Sequence, residues 1–271
     1  MSLITLTTDI GPQDFLSGAV KGQLLKAGPE FQVVEITHAL PPFNLPQAAY
    51  VCRNAFRQFP EFTFHVVLVN LFDRKPDQLL LAYHNEQYIL CADNGLLTMI
   101  LEAKPELVIG LPLDKNQQRN TLYCTEIMTD AIRKLQGGMS LQQIGVPDVP
   151  IVEKNHLQPV FSDNWIEGQI IFIDHFENIV INITREQFET HRKNRNFRIV
   201  FKRDEVISTI SETYADVPEG EKLALFNSAG YLEIAINKGN AAGLFGLQGF
   251  SEKSQNQQNR LFYQTARILF D

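Results

Sequence analysis

"LTTDIGPQDFLSGAVKG", residues 6–22, runs from apolar residues into an acid, Asp9, then through Gly11 and a second acid, Asp14, into a segment with helical spacing. A β-rich run that stops at a carboxylate and turns on glycine into a helix opens a strand–turn–helix unit. In an open parallel sheet such a turn lies beyond the carboxyl end of the strand, the edge where ligands bind. The stretch has neither G-x-G-x-x-G nor a Walker lysine, which argues against a phosphate cradle at this turn. A carboxylate placed there suits the vicinal hydroxyls of a ribose. Each acid also has a purely structural reading, because an acid ahead of a helix accepts from its free N–H groups and meets the positive end of its dipole.

Outward from this turn, short β-rich runs alternate with helical ones. "LITLTT" (3–8), "FQVVEI" (31–36) and "TFHVVLVN" (63–70) read as strands, 13–27 and 44–58 as helices. "QLLLAYHNEQYILCA" (78–92) reads as a hairpin turning at Asn85-Glu86, and helices follow near 95–102 and 121–136. The pattern predicts an α/β N-terminal domain over residues 1–150, a parallel-rich sheet covered by helices. From Gly145 to about Trp165 the chain is rich in Pro and polar residues without periodicity, giving a linker at 151–165. Beyond it "GQIIFID", "NIVINI", "NFRIVFK", "KLALFN", "YLEIAI" and "FYQTARILF" are short strands, with brief helical stretches near 184–192 and 240–245. A smaller, mainly β, barrel-like C-terminal domain over 166–271 is expected.

Composition narrows the function classes. The 271 residues carry a net charge of −7, with 44% hydrophobic residues, as in an ordinary globular chain. No apolar run reaches the roughly 18 residues of a membrane span, and the N-terminus lacks a basic-then-apolar signal pattern, so a cytoplasmic protein is expected. The acidic balance argues against nucleic-acid binding, which needs a concentrated basic surface. The basic run "HRKNRNFRIVFKR" (191–203) reads instead as a half-exposed strand, with Phe197, Ile199 and Phe201 alternating with Arg198, Val200 and Lys202. Cys52, Cys91 and Cys124 are isolated and odd in number, which suggests buried thiols. No histidine pair has ligand spacing, so no metal is expected. "EKSQNQQN" (252–259) reads as an exposed loop.

Two polar constellations mark strand ends in the second half. In "IDHFENIVINI" (173–183) Asp174 closes one strand and Asn178 opens the next, as a functional pair or as a turn held by its own side chains. The other is "FNSAGYLEIAINKGNAAGLFG" (226–246). Taken in order, "TTDIGPQDFLSGAVKG", "ITHALPPFNLPQAAY", "ADNGLL", "IDHFENIVINI" and "NSAGYLEIAINKGNAA" resemble the S-adenosylmethionine hydroxide adenosyltransferase family, which also contains fluorinating and chlorinating adenosyltransferases. The resemblance covers both halves of the chain. It implies an α/β and a β-rich domain assembled as a homotrimer, with S-adenosylmethionine between the N-terminal domain of one subunit and the C-terminal domain of the next. It also implies roles: Asp9 for the ribose hydroxyls, Gly11 and Asp14 shaping the turn, Asp174 for the methionine amino group, Asn178 for the adenine edge and Ser228 for the methionine carboxylate. S-adenosylmethionine is then substrate or ligand, and no separate cofactor is implied.

The chain departs from the family where water is activated. The family hydrolases use an Asp-Arg-His set, the Asp opening a "DPGVG" run and the His within "S-T-F-H-G-R-D". Here "VNLFDRKPD" (69–77) puts Asn70 at the Asp and Arg74 near the Arg, while "NTLYCTE" (120–126) puts Tyr123 at the His. A neutral amide takes no proton from water, and a phenol of reference pKa about 10 is a donor at neutral pH. The halide enzymes also carry Tyr there, but Cys124 replaces their small hydroxyl residue and Ala229 the Arg after their serine. The expected function is cleavage of S-adenosylmethionine by water to adenosine and methionine. The alternatives are a non-catalytic S-adenosylmethionine or nucleoside binder, halide transfer, and an unrelated nucleoside reaction using Asp73, Arg74 and Glu126.

Overall fold

The structure, a computed structural model, describes residues 2–202, 205–247 and 264–271. The chain divides into two compact units, residues 1–156 and 157–271.

The first unit runs β1 (Ser2–Thr8), α1 (Phe15–Leu24), β2 (Phe31–Thr37), α2 (Leu45–Phe56), β3 (Phe64–Leu68), β4 (Gln78–His84), β5 (Gln87–Ala92), α3 (Leu96–Leu101), β6 (Leu107–Pro112), α4 (Thr121–Gln136), α5 (Leu141–Ile144) and β7 (Val146–Pro147). Its seven-stranded sheet has the order β2-β1-β3-β5-β4-β6-β7. The pairs β1–β2, β1–β3 and β3–β5 are parallel and the remaining pairs antiparallel. Successive side chains of β3 serve opposite faces, as the two-residue period of a strand requires. Val66 and Leu68 join Val20 and Leu24 of α1 and Met128 and Ile132 of α4 in one core. Val67 joins Ala48 and Cys52 of α2 and Leu97 and Ile100 of α3 in the other. A sheet covered on both faces explains the apolar runs of its central strands β3, β4 and β5. Because β2 and β3 flank β1 on opposite sides, the carboxyl ends of β1 and β3 mark the switch point of the strand order, where open α/β sheets bind ligands.

Local chemistry moves several boundaries. The helix expected from residue 13 begins at Phe15, because the Asp14 carboxylate accepts from Leu16 N at 3.0 Å and so stands as the cap outside it. Residues 25–27 tighten into a 3-10 turn before Gly28 and Pro29. Strand β3 ends at Leu68, short of the expected 70, and Asn70 takes a left-handed φ of 47°. The sequence reading left out β6, a short "LVIGLP" run with a central glycine.

The second unit runs β8 (Val160–Ser162), β9 (Trp165–Ile173), β10 (Ile179–Thr184), α6 (Arg185–Arg192), β11 (Phe197–Lys202), β12 (Glu205–Ile207), β13 (Lys222–Phe226), β14 (Tyr231–Ile236), α7 (Ala241–Leu244) and β15 (Thr265–Phe270). These form a nearly closed antiparallel sheet with the path β12-β11-β15-β9-β10-β14-β13, β8 pairing β9. Register breaks in β10, at Val180/Ile181 and Ile181/Thr184, supply the curvature. Gly168 lets β9 and β10 approach, since a Cβ there would stand 2.5 Å from Ile181 Cγ2. Phe188 of α6, fully buried, packs edge-on to Phe197 at 5.0 Å and plugs the core. The basic run is a half-exposed strand: Phe197, Ile199 and Phe201 are buried while Arg198 is exposed and pairs with Asp271.

Residues 151–156 belong to the first unit, where Val152 N donates to Asp93 and Lys154 N to Thr98. The expected loop at 252–259 and the first residues of the strand expected over 262–270 lie outside the described residues. Among those described, no helix is long and apolar enough to cross a membrane. All three cysteines are free and buried.

Candidate functional site

Asp9 stands at the carboxyl end of β1, where three loops meet. One carboxylate oxygen, Oδ2, accepts from Phe43 N, in the loop after β2, and from Asn70 N, in the loop after β3, both at 3.0 Å. Its own N–H donates to Leu68 O. The single acid therefore ties three strand ends together, while Oδ1 accepts nothing among the described residues. Behind it Gly11, at a φ of 88° that favours glycine, donates to His38 O, and Thr8 Oγ1 lies 2.9 Å from His38 Nδ1. Asp14 stands apart on the surface as the cap of α1. Asp14→Ala is expected to lower stability by about 1 kcal/mol, the usual worth of a cap, and to leave adenosine affinity unchanged. Urea unfolding and calorimetry check the two halves.

Asn70 lies beside Asp9. Its left-handed backbone starts a turn in which Asp73 N donates to Asn70 O and Asn70 Nδ2 to Asp73 Oδ1. Asn94 Nδ2 donates to the carbonyls of both Val69 and Asn70, each at 3.0 Å, and fixes this turn from β5. Arg74 reaches Asp93, bonding its carbonyl at 3.0 Å and its carboxylate at 3.1 Å. A cleft of about 320 Å³ opens here, lined by Leu71, Asp73, Arg74, Asp93 and Asn94 among others.

Tyr123 joins this network by no hydrogen bond among the described residues. Its phenol oxygen accepts from Asp114 N at 2.9 Å, at the start of α4. Next to it the Cys124 thiol is buried and pushed up to about 11 by that burial, so it remains protonated at neutral pH and is not an anionic nucleophile. Thr125 is fully buried and bonds back to Thr121 O, and Glu126 is exposed.

In the second unit the turn between β9 and β10 holds Asp174 and Asn178 together. Asp174 Oδ1 accepts from the N–H groups of Phe176 and Asn178, and Oδ2 from Asn178 Nδ2 at 3.0 Å. Asn178 Oδ1 accepts nothing among the described residues. Ser228 is exposed in the β13–β14 hairpin turn, where Asn227 Oδ1 accepts from Ala229 N and Tyr231 N and Gly230 takes a φ of 79°. The sequence reading missed Glu233 of β14, 3% exposed, whose carboxylate accepts from Tyr214 Oη at 2.6 Å. Burial raises its pKa, opposed by the Tyr214 hydrogen bond and reinforced by the charge of Asp174. A lone acid between Leu232 and Ile234 was the available signal. Asp93, which holds Arg74, and Asn94, which fixes the Asn70 turn, were given no individual role either. Among the described residues no group of three or more His, Cys, Asp or Glu is placed to hold a metal ion.

Residues 4–145 match the SAM hydroxide adenosyltransferase N-terminal domain and residues 168–252 the C-terminal domain. The (R)-S-adenosyl-L-methionine hydrolase of Thermus thermophilus is 27% identical, across 92% of this chain and 97% of that protein. A fluorinase from Nocardia brasiliensis is 25% identical, across 91% and 94%. The crystal structure of an uncharacterized conserved protein from Thermotoga maritima superposes with a TM-score of 0.81 at 23% identity, over 98% of this chain and 99% of that one.

Proposed function

Because the chain belongs to the SAM hydroxide adenosyltransferase family, we propose that it binds S-adenosylmethionine and displaces methionine from the ribose C5′ carbon with water. The products are adenosine, methionine and a proton. The observation that carries this reading is the divided carboxylate of Asp9: Oδ2 is clamped by two backbone amides while Oδ1 stays open as an acceptor at the carboxyl end of β1. An acceptor so fixed suits the ribose diol of an adenosyl group. In the second unit the carboxylate of Asp174 is the group suited to the methionine ammonium. Asn178 Oδ1 is an acceptor for the adenine amino group, and the exposed Ser228 hydroxyl a donor for the methionine carboxylate. In this reading the first unit of one copy and the second unit of the next complete each site in a homotrimer.

The sulfonium leaves as a neutral thioether, so departure needs no acid. Attack by water puts an oxonium on C5′, which loses its proton to solvent. What remains for the protein is to place one water in line and strip its shell. The Asn70 amide can orient that water without accepting its proton, and the Tyr123 phenol already accepts from Asp114 N. Turnover without a general base is expected to be about 10²–10⁴-fold slower than with one.

The same observation favours a second reading, a protein that holds S-adenosylmethionine or adenosine without cleaving it. The Asn70 amide bonds Asp73, and Arg74 bonds Asp93, so both positions support loop structure. Halide transfer finds less support, because Cys124 is buried in the helix core. Calorimetric titration with S-adenosylmethionine and with adenosine tests the binding shared by the first two readings. Both ligands are expected to bind, and the absence of heat with either would overturn both.

A further inference from the structure

A second cleft, of about 570 Å³, lies in the first unit between the loop after β3 and the loop leading into α4. Its lining includes Phe72, Arg74, Lys75, Lys115, Gln118 and Arg119 and contains no acid. Four cations converge there in a chain whose net charge is −7. Arg74 is paired with Asp93 and Arg119 with Asp77, while Lys75 and Lys115 have no acid partner among the described residues and leave the cleft a net positive charge that attracts an anion.

Arg119 points more specifically to a ligand. Its side chain is only 9% exposed, and its Nε, itself shielded from solvent, has no hydrogen-bond partner among the described residues. Its one ion pair, to Asp77, is long at 3.4 Å, and the Asp77 side chain is 82% exposed. Arg119 lines the cleft, and the flat fork of Arg matches tetrahedral oxyanions. The run from Lys115 to Arg119 leads directly into α4, a 16-residue helix whose N-terminal end carries partial positive charge.

We propose that this cleft binds a phosphate group. A phosphate dianion brings two charges and several acceptor oxygens, enough for Arg119, Lys115, Lys75 and the outer face of Arg74, whereas a carboxylate brings one charge. S-adenosylmethionine carries no phosphate, so the ligand is a second molecule, either free phosphate or a phosphate monoester. Arg74 lines both clefts, which places the anion next to the loop that carries Asn70.

The test is calorimetric titration of the whole protein with inorganic phosphate and with phenyl phosphate, at ionic strength held constant with sodium chloride. Both are expected to bind wild-type protein. Arg119→Gln is expected to weaken binding about tenfold, the loss of one charge-assisted hydrogen bond, and the exposed Lys115→Gln about threefold. Adenosine affinity should stay unchanged in each variant. Tighter binding of the monoester assigns a phosphorylated metabolite, and tighter binding of inorganic phosphate assigns the free ion. Absence of phosphate binding over chloride, or wild-type affinity in the Lys115→Gln protein, would overturn the proposal even if Arg119→Gln fails to fold.

Discussion

Asp9→Asn is expected to weaken adenosine binding by about 10–100-fold, the equivalent of about 1.5–3 kcal/mol for hydrogen bonds to a charged acceptor. The amide is isosteric, so it can keep its oxygen toward the N–H groups of Phe43 and Asn70, which donate to Oδ2 in the native protein. That orientation turns the NH₂ group toward the space where Oδ1 stands, replacing an anionic acceptor by a donor. The substitution should also cost about 1 kcal/mol of stability, because two backbone amides exchange a charged partner for a neutral one. Calorimetry with adenosine and a urea titration separate the two effects. Wild-type affinity for adenosine in the variant would remove Asp9 from the ribose site.

Acid is expected to destabilise the first unit by about 3 kcal/mol through His65 alone. His65 is fully buried on β3, stacked on Phe56 with ring centroids 3.8 Å apart and with Nδ1 2.7 Å from Thr5 Oγ1. Burial lowers its pKa from 6.5 to about 4. Between those values the unfolded chain binds a proton that the folded chain refuses, so stability rises with pH there. The contribution is fully present above pH 6.5 and is lost as pH falls from 6.5 toward about 4. His65→Phe keeps the stacking volume and leaves the Thr5 hydroxyl unpaired, a cost of about 1–2 kcal/mol at neutral pH. Below pH 6.5 its stability should fall less steeply than that of the wild type. Urea midpoints measured at intervals down to pH 4.5 check this, and parallel curves for the two proteins would contradict it.

The alternating fold was legible because the early strands are short β-rich runs separated by segments of helical spacing and by Gly, Pro and polar breaks. β6 was not, since a six-residue run with Gly110 at its centre carries little periodicity and is recognisable only by its pairing with β4. The position of Asp9 was readable from the turn, but its clamp was not, because its partners lie 34 and 61 residues away. Asp14 had two readings, and the bond to Leu16 N supports capping. Tyr123 could be aligned to a histidine by motif, yet its Asp114 partner depends on how the loop before α4 folds back. Arg119 sits in the polar run "KNQQRN", where nothing local announces a buried guanidinium.

The most direct test of the central claim is incubation of the protein with S-adenosylmethionine in ¹⁸O-labelled water, followed by mass spectrometry of the nucleoside product. Displacement at C5′ requires adenosine carrying one ¹⁸O in its 5′-hydroxyl, with an equal amount of methionine, faster than in a protein-free control. Decay at the control rate, or adenosine without the label, would contradict it and leave a binding protein in place of the enzyme.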